Sequence, residues 1–370
     1  SELGIMSELK TNKISTNDQN NVAIDNALGL KSYDTAGRDA LTSVAGDMIY
    51  NTDDSKPQFY NGSSWTDFAP GTFTAEFLVL GAGGGGGGGE ASTGGDQAGG
   101  GGAGRYRTSY GSGNISGGLS AVESDLTLTK NLAIPVSIGA GGSGGSGSPN
   151  RGSNGSDVYF YNIYSIGGGG GGTEEGYNDI AGNSGGSSGG QGKKNGLSAS
   201  SGNSPQGLPF YTGFGFRGGY TSAGGRGGAG GGGAGANGVD GGQNYAPQGG
   251  AGIDSSITGS AIGRGGGGGG GASGGNSVLT SPDGGGNGGS NNTVAQAGDA
   301  NKGGGGGGGS CQTTGNPSVG ATGGSGVVIL RYPTADVASY SQTGLTITET
   351  TDGSDTVLEI TAGTGTISFS

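Results

Sequence analysis

The chain has 370 residues, of which 101 are glycine and only 29% hydrophobic, so a conventional large apolar core is excluded and backbone hydrogen bonds must supply much of the stability. A net charge of −12, with 16 scattered Lys and Arg, argues against a nucleic-acid partner. With no histidine and one cysteine, Cys311, the inventory excludes a His-based triad, a zinc site and an intrachain disulfide, and no apolar stretch reaches the roughly 18 residues of a spanning helix.

In chain order, Met6 reads as a natural start without a basic-then-apolar leader, and residues 1–70 as an N-terminal attachment region. Residues 21–33 alternate loosely through Val22, Ile24, Leu28 and Leu30, and 35–44 read as a short helix capped by Thr35. Hairpin signals follow: Gly46-Asp47-Met48-Ile49-Tyr50-Asn51, a turn at 52–55, Pro57-Gln58-Phe59-Tyr60, then Asn61-Gly62 ahead of Ser64-Trp65. Asn-Gly between β-like runs points to a type I′ turn.

Residues 72–80 have strand composition, with Phe73, Phe77 and Val79 on one face, and run straight into Gly81. Further strands are predicted at 125–129, 133–138, 157–161 and 326–332, so that short strands repeatedly feed glycine runs, the longest being 83–89, 167–172, 265–271 and 303–309. Polyglycine makes a poor helix and a poor strand. Without Cβ atoms it can instead form polyproline-II helices, three residues per turn and about 3.1 Å per residue, that approach closely and exchange hydrogen bonds. The body, 71–332, is therefore predicted as a bundle or sandwich of polyglycine-II helices fed by short β-strands, mainly β with little α-helix. Residues 333–370 are predicted as a C-terminal β-meander with strands at 345–350, 356–361 and 365–369. Bonds worth about 1 kcal/mol each also predict a homo-oligomer.

The pattern at 46–51 and 60–65 resembles a hairpin module of bacteriophage tail-fibre proteins, notably those of marine phages, a resemblance that covers about residues 36–68. The ordered landmarks Phe77-Leu78-Val79-Leu80-Gly81-Ala82-Gly83-Gly84, Val136-Ser137-Ile138-Gly139-Ala140-Gly141-Gly142 and Gly323-Gly324-Ser325-Gly326-Val327-Val328-Ile329-Leu330-Arg331-Tyr332 resemble the glycine-rich domain of phage fibre proteins. That resemblance implies a virion structural protein assembled in the host cytoplasm, a tail-fibre or adhesin subunit, trimeric, joined to other virion proteins through its N-terminal region. Its loops would meet a host-surface polysaccharide or outer-membrane protein. The alternative is a capsid-decorating fibre or self-assembling filament subunit with no specific receptor.

Between rods lie connectors at 105–116, 173–184, 193–217, 243–248, 253–262 and 276–283. Loops on a rigid scaffold are the usual home of binding. Aromatics in them offer contact area at low entropic cost, which makes Tyr106, Tyr110, Tyr177, Phe210, Tyr211, Phe214 and Tyr245 the candidate receptor-binding residues. The competing reading of such aromatics is plugs that cap the rods. No catalytic role, cofactor or metal is expected: 189–193 lacks the P-loop's first glycine and its Ser/Thr and reads as a basic turn. Gly235-Ala236-Asn237-Gly238-Val239-Asp240 has no tandem copies to wind a calcium roll, and Glu174-Glu175 reads as solvated charge.

Overall fold

The structure, a computed structural model, describes residues 29–68, 71–90, 97–113, 115–173, 181–193, 215–221, 227–242, 245–272, 277–290, 293–310 and 318–370. The chain divides into two compact units, Ser1–Gly71 and Thr72–Ser370. The C-terminal strands thus belong to the body instead of forming a third domain.

The first unit holds β1 (Ser32–Tyr33), α1 (Thr35–Asp39), β2 (Met48–Asn51), β3 (Lys56–Tyr60) and β4 (Trp65–Asp67). The strands form one sheet in chain order, with β1 parallel to β2 and the rest antiparallel. The helix is shorter than predicted and Asp34, not Thr35, caps it, its carboxylate accepting the Gly37 N–H at 2.7 Å. Beyond it the Asp47 carboxylate accepts the Val44 N–H at 2.9 Å, a local bond that competes with further helix. Asn61 does not enter the left-handed region that a type I′ turn demands; only Gly62 does, at φ 103°. The Asn61 side chain instead accepts the Ser63 and Ser64 amides, both at 2.9 Å, closing a four-residue loop.

Among the described residues of this unit Ile49 is the one buried hydrophobic side chain, and a polar network does much of the packing. Buried Gln58 donates to Asp67 at 2.8 Å and Asp54 at 3.1 Å and accepts from Arg38 at 3.1 Å, while buried Asn51 accepts the Asp53 amide at 3.0 Å.

The second unit begins with β5 (Thr72–Leu80), β6 (Tyr106–Thr108), β7 (Leu126–Thr129), β8 (Ile134–Ser137), β9 (Val158–Phe160) and β10 (Ile163–Ser165). Four short strands follow: β11 (Tyr245–Ala246), β12 (Ile253–Ser255), β13 (Ile262–Arg264) and β14 (Ser277–Val278). The last three are β15 (Val327–Pro333), β16 (Tyr340–Asp352) and β17 (Asp355–Phe369). The predicted meander is a long hairpin, because the chain passes through 361–365 without reversing and β17 continues to Phe369, bulged near Gly363 at φ 106°.

Nine of these strands make one sheet in the order β10-β9-β8-β17-β15-β5-β6, with β7 also on β5 and β16 on β17. Its edges meet, the Arg105 N–H donating to the Ile166 carbonyl at 2.9 Å and the Ser165 hydroxyl to the Arg105 carbonyl at 2.5 Å, so the sheet is nearly closed. The alternation of β5 divides two apolar clusters. Phe73, Ala75, Phe77 and Val79 join Leu128, Val136, Phe160, Leu330, Ile360 and Phe369 on one side; Leu78 and Leu80 meet Tyr106, Ile329, Val357 and Ile257 on the other.

From this sheet extend glycine rods with a three-residue repeat. In rod 97–105, the amides of Ala98, Gly101 and Gly104 donate to Gly309, Gly306 and Gly303; those of Gly99, Gly102 and Arg105 donate to Gly172, Gly169 and Ile166. Gly100 and Ala103 donate to Ala229 and Gly232, all eight bonds falling between 2.7 and 3.0 Å. Carbonyls of the same rod accept from Gly268 and Gly271, from Gly84 and Gly87, and from Ser187 and Gly190. The rod is therefore enclosed by neighbours on all sides, and these amides bond to other rods. Rod 81–89 repeats the scheme, donating to Gly324, Ala321 and Ser318, to Gly102 and Gly99, and to Ser153 and Asn150. The segment 189–193 is rod, not a basic turn, since the Lys193 and Gln97 amides and carbonyls exchange bonds at 2.6 and 3.0 Å.

Small side chains such as those of Ala98 and Ala103 are fully buried in the lattice, but at most of its glycines there is no room for one. A Cβ on Gly101 would overlap the Gly84 carbonyl oxygen, and the surrounding atoms are backbone that cannot yield. Gly101→Ala is expected to cost the body about 3 kcal/mol or more. Gly353→Ala, at φ 63° with open space around it, should cost about 1 kcal/mol; equilibrium urea unfolding checks the ranking. In the first unit, Gln58→Ala strands its partners and is expected to cost about 2 kcal/mol, read from thermal unfolding followed through Trp65.

Candidate recognition surface

Rod direction defines two ends of the body. Rod 81–89 leaves the sheet from β5, rod 97–105 enters it at β6, and residues 318–326 enter it at β15, so Gly89, Gln97 and Ser318 share the end away from the sheet. The residues flanking 91–96, 222–226, 273–276, 291–292 and 311–317 sit at that end as well.

Asparagine and hydroxyl side chains fix how the rods meet. Thr173 donates its hydroxyl to the Gly88 carbonyl at 2.5 Å, Ser187 to Gly233 at 2.9 Å, and Asn154 accepts the Gly170 amide at 3.0 Å while donating to the Ser184 carbonyl at 2.9 Å. At the far end Lys193 is buried, which pushes its ammonium pKa down.

The three predicted contact aromatics among the described residues do not form one surface. Tyr245 lies at the far end in β11, 37% exposed, paired in parallel with β14. Tyr106 lies at the opposite end and is fully buried, so it cannot meet a receptor; as the first residue of β6 it points into the cluster with Leu80 and Ile257. Tyr110, also at the sheet end, is half-buried against that cluster, its ring 5.7 Å from the Arg331 guanidinium. Tyr177, Phe210, Tyr211 and Phe214 lie outside the described residues, as does Glu174-Glu175. The connector 253–262 is a β12–β13 hairpin at the sheet end with Ile257 buried, which removes it from any far-end surface.

Two further far-end residues are exposed apolar side chains: Leu279, 39% exposed beside β11, and Val294, 57% exposed just after the Ser290–Thr293 bridge. Aromatic content alone could not find them; an aliphatic residue inside a polar connector was the available signal. Exposed Leu119, Leu132 and Tyr164 are at the sheet end, where the Tyr164 hydroxyl is bonded to Asp157.

The sheet end carries a cleft of about 240 Å³ around Arg331, Glu76, Asp125 and Asp355. Arg331 is held by Asp352 at 2.7 Å and Asp355 at 2.8 Å, with Glu76 at 3.9 Å. Burial first, and the neighbouring Asp125 charge second, push the Glu76 carboxyl up. These groups satisfy one another and tie β5, β15 and the β16–β17 turn together. Among the described residues no group of His, Cys, Asp and Glu could hold a metal ion, and no helix is long and apolar enough to cross a membrane.

A family model described as a glycine-rich domain matches residues 60–333. No curated protein matches the chain.

Burial pushes the Tyr106 phenol up to about 12. The folded state keeps this proton where the unfolded chain, at a tyrosine's usual value near 10, loses it, so stability is intact below about pH 10 and falls as pH rises toward 12. Tyr106 accounts for about 2 kcal/mol of that loss at pH 12. Tyr106→Phe removes a hydroxyl without a well-formed hydrogen bond; it should leave stability at pH 7 within about 1 kcal/mol and flatten the alkaline fall, as urea unfolding at pH 7 and 11.5 will register.

Proposed function

The chain belongs to the glycine-rich domain family, and from that footing we propose that it is a phage virion protein, a tail-fibre or adhesin subunit that presents host-recognition surface at the rod ends away from its sheet. The rods are polyglycine-II helices in this reading, supported by their three-residue repeat and the absence of amide bonds within rod 97–105. The observation that carries the functional reading is positional. A lattice that tolerates almost no side chain ends in a face where Tyr245, Leu279 and Val294 are exposed and from which connectors of unrelated composition depart.

Rigid scaffolds bearing variable loops are suited to binding, and an acidic, soluble body keeps such a surface from nonspecific association. The partner classes are a host-surface polysaccharide or an outer-membrane protein, and no step of bond breaking is assigned to the chain. Trimerisation would serve avidity, multiplying weak contacts through effective concentration. The hairpin unit would join the subunit to other virion proteins, on the strength of its resemblance to fibre modules.

The triple variant Tyr245→Ser, Leu279→Ser, Val294→Ser should reduce adsorption of the purified protein to host envelopes about tenfold or more with an unchanged melting temperature. Adsorption equal to that of the unmodified protein would sink the tip assignment. Gold-labelled antibody to the body should mark fibres on virions, and label confined to capsids would favour the decorating-fibre alternative.

A further inference from the structure

The N-terminal unit carries a groove that the recognition surface does not use. α1 and the stretch after it supply Arg38, Asp39 and Ser43 to one wall, and the β3–β4 hairpin supplies Tyr60, Ser64 and Trp65 to the other, around a space of about 440 Å³. That volume falls within the range of small-ligand sites. Tyr60 and Trp65 are cross-strand partners, stacked edge to face at 5.5 Å and 61°, and each is only partly buried.

Three features define the chemistry. The aromatic pair offers an apolar platform, suited to a ring with a CH-rich face. Arg38 is 16% exposed and is fixed by Asp39 at 2.9 Å and Gln58 at 3.1 Å, so the charged wall is rigid and its charges compensate locally. Serines line both walls, Ser43 on one and Ser63 and Ser64 on the other, and the Ser43 hydroxyl oxygen has no hydrogen-bond partner among the described residues. A ligand satisfying all three has one apolar face, a rim of hydroxyls and no net charge. An anion would meet Asp39 and Asp54 beside Arg38, the one cation that lines the groove among the described residues.

We propose that this groove binds a neutral hexopyranose unit of a polysaccharide, its CH face on Trp65 and Tyr60 and its hydroxyls on Arg38, Asp39 and the serines. The site is independent of the rod-end reading, since it uses other residues and another unit of the chain.

Trp65 is the chain's one tryptophan, so its emission reports the groove directly. The full-length protein is titrated with neutral gluco-, manno- and galacto-oligosaccharides and, separately, with sialylated and sulfated ones. At least one neutral series should shift or quench Trp65 emission to saturation, and Ser43→Met, which fills the groove, should weaken that response about tenfold or more. If Ser43→Met fails to fold, Ser64→Ile from the opposite wall is read in its place. No saturating response to any neutral series, a response to charged sugars alone, or a response unchanged in a folded groove-filling variant would overturn the proposal.

Discussion

The structure depends on glycine rods packed too closely for side chains. A Cβ added at Gly84, Gly101, Gly268 or Gly305 would overlap a neighbouring carbonyl, so the missing side chain is what lets each amide reach across to another rod. In a usual domain the interior is apolar and backbone bonding is completed along its periphery; here backbone bonding between rods is itself the interior. Because bonds from one chain already surround rod 97–105, that rod completes its hydrogen bonding without a second copy of the chain.

Such a lattice needs a clamp, because its glycine runs have few side chains with which to choose their neighbours. The nearly closed sheet provides it. β5 feeds rod 81–89, β6 receives rod 97–105, β8 and β10 feed rods on one flank, and β15 receives the last. Apolar clusters on both faces of β5 and β15 fix those starting points by conventional burial. The two modes of cohesion are therefore sequential in space: hydrophobic packing sets positions at one end, and hydrogen bonding carries that order along the rods.

Much of this was legible in the sequence, for identifiable reasons. Residues 72–80 alternate cleanly and form β5 over that span, and the strands near 125–129, 134–137, 158–160 and 327–333 also fall where short β-branched and aromatic runs meet glycine. Rod pairing was not legible, because identical glycines carry no register; it depends on single residues such as Thr173, Ser187 and Asn154. Tyr106 was misplaced for a related reason. It adjoins Arg105 and Arg107 in a polar stretch and looked like connector, but strand alternation turns its ring inward while the Arg107 guanidinium turns out to Glu123. The far-end residues Leu279 and Val294 are marked in the sequence only by being aliphatic within polar stretches, a weaker signal than an aromatic ring.

The same constraint divides structure from recognition. A substitution inside the lattice breaks bonds to several rods at once, so the interior has almost no freedom to vary. Where a rod ends, a connector need only return the chain to the next rod, and its composition is otherwise unconstrained by packing. Binding surface can therefore accumulate at rod ends without cost to the body, which is the physical reason to look there before anywhere along the rods. The hairpin unit differs: its polar network holds the groove walls directly, so Gln58 and Arg38 support the fold and shape the groove together.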